Sequence, residues 1–403
     1  MIIFFQPVLV DLFYYCNFTP TINHLVMPKS NMRTILVNAL IIIFTFFVLS
    51  FIFSYSTYLL LNFVIENKIL YLFFAFRLAL IIAAIYLISF LLYKKVIKPK
   101  IKAVYKNLSL TISTIIIFIL ILEGIFMFIP ISHNAGYSLA SVNWHYYFWK
   151  PLNKFGYRDK EHDLEKIKTK KKVFVLGDSV TAGDGIKKVK NRYSDVLSGL
   201  FPDNYELVNL GLRGSETKDE YERLRSYPLK PEILILQYYM NDFEQAAVSY
   251  GKDFSVAPYN TRLKKIIANS YFLNFIYWTI PQKDISNEYS DFLVSSFESS
   301  SIRDQHLRDL YSFIKISKDK NFELVVMLVP NLSRQDISNK YLPFVEKLFT
   351  SNNIPVLNVS DLIVDMKMHK RIVNKNDGHP SIIVNKMMAA ELYKLLVSEN
   401  LLN

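Results

Sequence analysis

"VFVLGDSVTAGDG", Val173 to Gly185, decides how the rest of this 403-residue chain is read. An apolar run stops on Gly-Asp-Ser, and Gly183 and Gly185 follow close behind. Taken alone, the stretch is a strand ending in a turn, because glycine, aspartate and serine all favour turns for local steric and hydrogen-bonding reasons. The competing reading makes Ser179 a nucleophile at the end of a strand. What stands at the ends of the other strands separates the two.

Working outward, short apolar runs alternate with helix-like stretches from Lys171 onward. "KVFVL" (172 to 176), "YELVNL" (205 to 210), "EILILQYY" (232 to 239), "FELVVMLVP" (322 to 330) and "IPVLNV" (354 to 359) are β-rich without polar alternation. Such runs fit strands covered on both faces by crossover helices. Helical stretches are expected near 192–201, 215–226, 304–318, 341–350 and 381–397. This order predicts an α/β fold with a parallel sheet between helix layers. There is no internal repeat.

In an open sheet of this kind the ligand crevice lies at the carboxyl ends of the strands. Ser179 follows the first strand, "NLGLRGSET" with Gly211 and Gly214 follows the second, and "MNDF" with Asn241 and Asp242 follows the third. Asp377 and His379 stand in "NDGHPS", just ahead of the last helix. A serine hydroxyl becomes nucleophilic when an imidazole within hydrogen-bond reach removes its proton. His379 is the candidate base, and Asp377 the group that fixes its tautomer and stabilises its cation. The backbone N–H groups of Ser179 and Gly214 and the side-chain amide of Asn241 are the candidate donors to an oxyanion. This chemistry needs no metal and no organic cofactor.

These residues resemble the SGNH hydrolases of the GDSL esterase superfamily. "GDSVTAG" is similar to the serine block, "VNLGLRG" to the glycine block, "MND" to the asparagine block and "DGHPS" to the histidine block. The resemblance runs from about 153 to 401 and takes in the lead-in "NKFGYRD". It implies a flavodoxin-like, three-layer α/β/α domain over 151–403 with a five-stranded parallel sheet in the order 2-1-3-4-5. It carries over Ser179, Gly214, Asn241, Asp377 and His379 in the roles just given. Two positions depart from the pattern. Tyr239 stands where a glycine usually precedes the asparagine, and Asp377 lies two residues before the histidine where three is common, with Asn376 in the usual place. The shorter spacing is similar to that of polysaccharide O-acetyltransferase relatives.

The front of the chain differs in composition. Residues 1 to 133 hold 10 of the 47 Lys and Arg and 3 of the 35 Asp and Glu, which leaves 37 − 32 = +5 for the remainder. That surplus, with no basic-aromatic motif, gives no reason to expect nucleic acid as a partner. The single cysteine, Cys16, excludes an internal disulfide. Apolar runs at 35–65, 69–93 and 110–130 each reach the ~20 residues a membrane-spanning helix needs, which predicts three spans and a lipid bilayer as partner. Lys94, Lys95, Lys98, Lys100, Lys102 and Lys106 mark the loop before the third run as cytoplasmic, so the amino terminus lies inside and the domain outside the cytoplasmic membrane. Arg77 and Glu123 lie at similar depths and form either an interhelical ion pair or two side chains reaching separately to the interface. Residues 1–34 fit an interfacial segment, or a start upstream of the true one at Met27 or Met32. Residues 133–150, with Trp144, Tyr146, Tyr147, Phe148 and Trp149, are expected as an aromatic juxtamembrane linker that meets either the head groups or the underside of the domain.

Other features receive plainer readings. His306 and His369 are expected at the surface, and His133, His145 and His162 belong to the lead-in. Asp178 and Asp242 shape turns. Tyr271, Phe272, Phe275, Ile276 and Trp278, within the insertion 243–301, either pack the core or line an acyl or sugar site. The combined expectation is a membrane-anchored serine esterase acting on an O-acyl group, in the first place O-acetyl, of an envelope glycan. The alternatives are an O-acyltransferase with the same triad, a lipid esterase, and a docking module without catalysis.

Overall fold

A computed structural model of the protein describes residues 102–133, 138–254, 263–279 and 285–402. The chain divides into two compact units, Met1–Thr114 and Ile115–Asn403. The second unit holds everything described below except the beginning of helix α1 (Lys102–Phe126). After α1 come helix α2 (Leu139–Phe148), strand β1 (Lys171–Leu176), helices α3 (Ser179–Ala182) and α4 (Tyr193–Ser198), and strand β2 (Tyr205–Asn209). Helix α5 (Thr217–Ser226), strand β3 (Ile233–Tyr238) and helices α6 (Tyr271–Thr279), α7 (Ile285–Glu298) and α8 (Ser300–Lys320) follow. Strand β4 (Glu323–Leu328), helix α9 (Leu342–Thr350), strands β5 (Val356–Asn358), β6 (Ile372–Asn374) and β7 (Asp377–Pro380), and helix α10 (Ile382–Ser398) complete the set.

The sheet order is β2-β1-β3-β4-β5, as the resemblance implied, and every pair is parallel. Successive side chains on a strand point to opposite faces, and here both faces are apolar. Phe174 and Leu176 of β1, Leu234 and Leu236 of β3 and Val326 and Leu328 of β4 face α5, α7, α8 and α9 through Leu224, Phe297, Phe313 and Phe349. Val173, Val175, Ile233, Ile235, Val325 and Met327 face α4 and α10 through Leu197, Met388 and Leu392. Burial on both sides is why these strands read as unbroken apolar runs. The expected bounds of β2, β3 and β4 were one or two residues generous, that of β1 began one residue late, and the fifth strand keeps only Val356–Asn358 of its expected six.

Of the two expectations for 133–150, contact with the head groups or with the underside of the domain, the second matches the fold: α2 is folded into the unit that begins at Ile115. Trp144 is 1% exposed, while Tyr146 faces solvent. The Asn143 amide donates to the carbonyls of Met127 and Ile129, at 2.9 and 3.2 Å, and laces 127–133 across α2.

Among the described residues no helix is long and apolar enough to cross a membrane. Of the third expected run, 110–130, α1 covers 110–126 without a break and stops at Phe126, and Glu123 is turned into the unit. Its carboxylate accepts from Ser270 Oγ (2.8 Å), Tyr271 N (2.5 Å) and Phe272 N (3.1 Å), and so caps the orphan donors at the start of α6. Glu123 therefore spends its charge on a helix end within the domain. Arg77, the first two expected spans and residues 1–34 lie outside the described residues. On α6, Phe272 and Phe275 pack on Phe126, with ring centroids 5.3 and 4.6 Å apart, and Trp278 is buried, so the insertion's aromatic stripe serves packing.

The lead-in also supplies a buried guanidinium. Arg158, 1% exposed, donates to the carbonyls of Gly183 (2.5 Å), Ile186 (2.6 Å) and Phe148 (2.8 Å) and lies 4.9 Å from the Trp149 ring. It ties α2 to the loop behind α3. Burial, joined by the repulsion of Arg192, lowers its pKa to about 10, which leaves it charged at neutral pH. Replacing Arg158 by methionine removes the donors and strands buried carbonyls, so chemical denaturation is expected to show a loss of about 3 kcal/mol.

Candidate active site

The site is built where β1 runs out. The Asp178 carboxylate accepts from Val180 N at 2.9 Å and caps α3, which puts Ser179 in the first helical turn with its side chain half-buried. Two polar residues inside otherwise apolar strands hold that helix. Gln237 of β3 accepts from Thr181 Oγ1 at 2.9 Å, and Asn209 of β2 donates to the Thr181 carbonyl at 2.8 Å.

The catalytic candidates meet. Ser179 Oγ lies 2.8 Å from His379 Nε2, and His379 Nδ1 lies 2.5 Å from Asp377 Oδ1. The unusual two-residue spacing has a structural cause. Asp377 and His379 sit on β7, which pairs antiparallel with β6, and residues i and i+2 of a strand share a face. A short hairpin thus does what a turn does with the longer spacing. Asp377 is buried and the His379 side chain is 16% exposed, so the relay runs from the interior to an accessible serine.

The segments that hold the expected oxyanion donors lie next to the nucleophile turn. Leu212 N donates to the Gly177 carbonyl at 3.1 Å, and Ser215 N donates back to the Leu212 carbonyl at 3.2 Å, which closes a tight turn beside the nucleophile. Gly214 occupies that turn at φ +70, a conformation that glycine adopts without a steric penalty. Asn241, in the 3-10 turn Met240–Phe243, directs its amide to the Ser215 carbonyl at 3.4 Å. Asp242 Oδ2 accepts from Tyr239 N at 2.7 Å and holds the turn that presents Asn241.

Several groups that sequence reasoning left out bear on the site. Asp184, nearly buried, forms ion pairs with Arg213 Nε at 2.9 Å and His145 Nε2 at 3.3 Å. Burial opposes its charge, but the His145 hydrogen bond, the positive charge of His379 and Arg213 together hold its carboxyl at about 2. Ser132 Oγ donates to Asp377 Oδ2. Gly185, at φ +78, is packed so closely that a Cβ there would meet Val373 Cγ2 at 2.4 Å and Asp377 Oδ2 at 2.9 Å. Polar residues within apolar strands were the available signal for Gln237 and Asn209; no local signal marks Ser132 or Asp184.

The other histidines divide. His306, expected at the surface, is 1% exposed, hydrogen-bonded to the Tyr238 hydroxyl at 3.1 Å, and pushed by burial to about 3. His162 bridges Asp159 and Glu206 at 2.9 and 3.0 Å, and His369 is exposed. Among the described residues no group of three or more His, Cys, Asp or Glu side chains could hold a metal ion.

With this geometry in hand, the chain can be set beside known proteins. No family model matches it, and no curated protein does. Solved structures do. The chain is similar to an acetyl xylan esterase, AlAXEase, at 17% identity over 55% of this chain and 98% of that one, with a TM-score of 0.35. It is similar to a lipase/acylhydrolase from Enterococcus faecalis at 14% identity over 57% and 96%, with a TM-score of 0.35. A member of the lipolytic protein G-D-S-L family from Veillonella parvula DSM 2008 follows at 13% identity over 56% and 98%, with a TM-score of 0.33. Likenesses this distant say nothing of substrate, and the chemistry is taken from the side chains themselves.

Burial alone would lower the His379 pKa, but Asp377 in contact, with Asp184 and Asp178 nearby, outweighs it and lifts the ring to about 9. A general base works in its neutral form, so the raised pKa moves the acid limb of any His379-dependent reaction upward. For hydrolysis of an activated aryl acetate, kcat/KM is expected to climb with pH to a midpoint near 9. Asp184→Asn removes one of the raising charges, and a pH–rate profile should show that midpoint moving to lower pH.

Proposed function

We propose that the protein is a serine ester hydrolase of the SGNH type, which removes an O-acetyl group from an envelope glycan outside the cytoplasmic membrane. The hydrogen-bonded series Ser179–His379–Asp377 at a strand-end rim carries the chemical half of this reading. His379 Nε2 takes the Ser179 proton as Oγ attacks the ester carbonyl. The tetrahedral oxyanion is received by the N–H groups of Ser179 and Gly214 and by the Asn241 amide. As the ester C–O bond breaks, His379 protonates the departing sugar alkoxide and leaves an acetyl ester on Ser179; water, deprotonated by the same ring, attacks that ester, and the proton passes to Ser179 Oγ as the C–Oγ bond breaks and acetate leaves. Throughout, Asp377 stabilises the imidazolium and keeps Nε2 facing the serine.

A small acyl group is favoured by Tyr239, a bulky residue two positions ahead of Asn241 where a glycine is usual. Attachment at the membrane is favoured by the apolar front of the chain and by the exposed Ile115, Phe118, Ile121 and Ile125 along α1. If the run 110–130 crosses the bilayer, the lysines between 94 and 106, held inside, favour the outer side for the domain.

A second reading passes the acetyl group to a sugar hydroxyl, favoured by the two-residue spacing of Asp377 and His379. Purified full-length protein in detergent, given an activated aryl acetate, is expected to release acetate. Ser179→Ala should abolish that release, and Asn241→Ala should lower turnover by about 10² to 10³. A Ser179→Ala rate equal to wild type rejects the enzyme. Acetylated sugar formed in place of free acetate, when an oligosaccharide is added, identifies the transferase.

A further inference from the structure

We propose that Ser132, in the stretch between α1 and α2, is a positioning residue for the triad and makes the lead-in part of the active site. The inference rests on the reading of Ser179, His379 and Asp377 as a catalytic series. Asp377 Oδ1 is fully engaged by the histidine, accepting from the ring Nδ1 at 2.5 Å and from His379 N at 3.1 Å. Its other oxygen, Oδ2, points away from the ring, and among the described residues its donor is the Ser132 hydroxyl. Gly185 and Val373 wall the same oxygen closely enough that even a Cβ at Gly185 would touch it, which leaves little room for water to replace that hydroxyl.

Ser132 is itself held in place. It is 4% exposed, and its carbonyl accepts from Asn374 Nδ2 at 3.1 Å, at the end of the strand paired with the one that carries Asp377 and His379. On its amino-terminal side, Ile131 N donates to the Ala140 carbonyl at 3.1 Å and the Asn143 amide holds Met127 and Ile129. On its other side, Ser141 Oγ reaches the His133 carbonyl at 3.4 Å. A hydroxyl fixed from both directions is a reference point, not a mobile side chain that happens to find an acceptor.

A carboxylate on a four-residue strand, two residues from the histidine it serves, has few backbone means of setting its torsion. Anchoring Oδ2 sets the plane of the carboxylate, and that plane aims Oδ1 at Nδ1. The anchor also favours the charged carboxylate, because a hydrogen bond to the charged form favours that form. Losing it weakens Asp377 as a partner for the imidazolium on both counts, which lowers the His379 pKa. The charged groups that bear on the pair are His379 itself, Asp184 and, beyond the ring, Asp178.

The test uses the full chain and aryl acetate hydrolysis in wild type, Ser132→Ala, Ser132→Thr, Asp377→Ala and the Ser132→Ala/Asp377→Ala double variant. Ser179→Ala serves as the separate control for the catalytic reading. The expected result is a fall in kcat of about tenfold or more for Ser132→Ala with KM held. The acid limb should move to lower pH, and Ser132→Thr should recover most of the activity. In the Asp377→Ala background the serine change should cost nothing further, because the hydroxyl acts only through that carboxylate. A loss caused by misfolding would persist in both backgrounds and would overturn the proposal. So would Ser132→Ala with wild-type kcat and pH profile while Ser179→Ala is inactive, an outcome that leaves the enzyme standing and removes only Ser132 from its machinery.

Discussion

The hydrogen bond of 2.8 Å between Ser179 Oγ and His379 Nε2 joins residues 200 positions apart, and most of the architecture can be read as the means of making it. Each partner is delivered by a strand end. Ser179 leaves β1 directly into a capped helical turn, and His379 stands on a two-stranded hairpin that precedes α10. A parallel sheet puts all its carboxyl ends on one rim, so the serine, the glycine turn and the asparagine turn converge from consecutive strands. The histidine cannot arrive that way, because β5 ends well before it. The hairpin β6–β7 crosses that distance, and α10, packed on α4 through the core below the sheet, fixes where it lands.

The nucleophile turn is held by polar groups at the cost of burying them. Gln237 and Asn209 place amides inside the sheet, where an unpaired amide is expensive, and each answers backbone or hydroxyl groups of α3. From outside, Arg158 reaches in to take the carbonyls of Gly183 and Ile186. An apolar filling of the same space could match the stability, but it could not specify the orientation of a four-residue helix whose own hydrogen bonds are too few to keep it. Specific buried partners do that, and their use concentrates around Ser179.

Much of the fold could be read from the chain because burial on both faces leaves a strong mark. Strands β1 to β4 lie within two residues of their expected bounds, and Ser179, His379 and Asp377 meet as their positions at strand ends suggested. What the sequence concealed has one common character, contact over long separations. Ser132 meets Asp377 across 245 residues, and Glu123 meets Tyr271 across 148; neither has a local pattern that announces its partner. Glu123 in particular read as an intramembrane charge because its neighbours are apolar, yet those neighbours include Phe126, which packs on α6. His306 misled for the opposite reason. Its helix α8 is rich in charge, but the histidine lies on the face turned to the core, beside Tyr238, Phe243 and Phe297.

The electrostatics of the rim follow from the same crowding. Asp377, Asp184 and Asp178 all bear on one imidazole, and Asp184 and Asp178 are themselves buried. Like charges this close oppose one another's ionisation. Burial raises the pKa of Asp178, whereas Asp184 keeps its charge because Arg213 and His145 lie against it. Arg213 belongs to the glycine turn and His145 to α2, so the carboxylate that most needs compensation draws it from the oxyanion side of the site and from the lead-in together. Displacing α2 would therefore remove the His145 ring from Asp184 and disturb the neighbouring segment that carries Ser132. The lead-in thus acts on the histidine by two routes, through the carboxylate that orients it and through the field that sets how firmly it holds its proton.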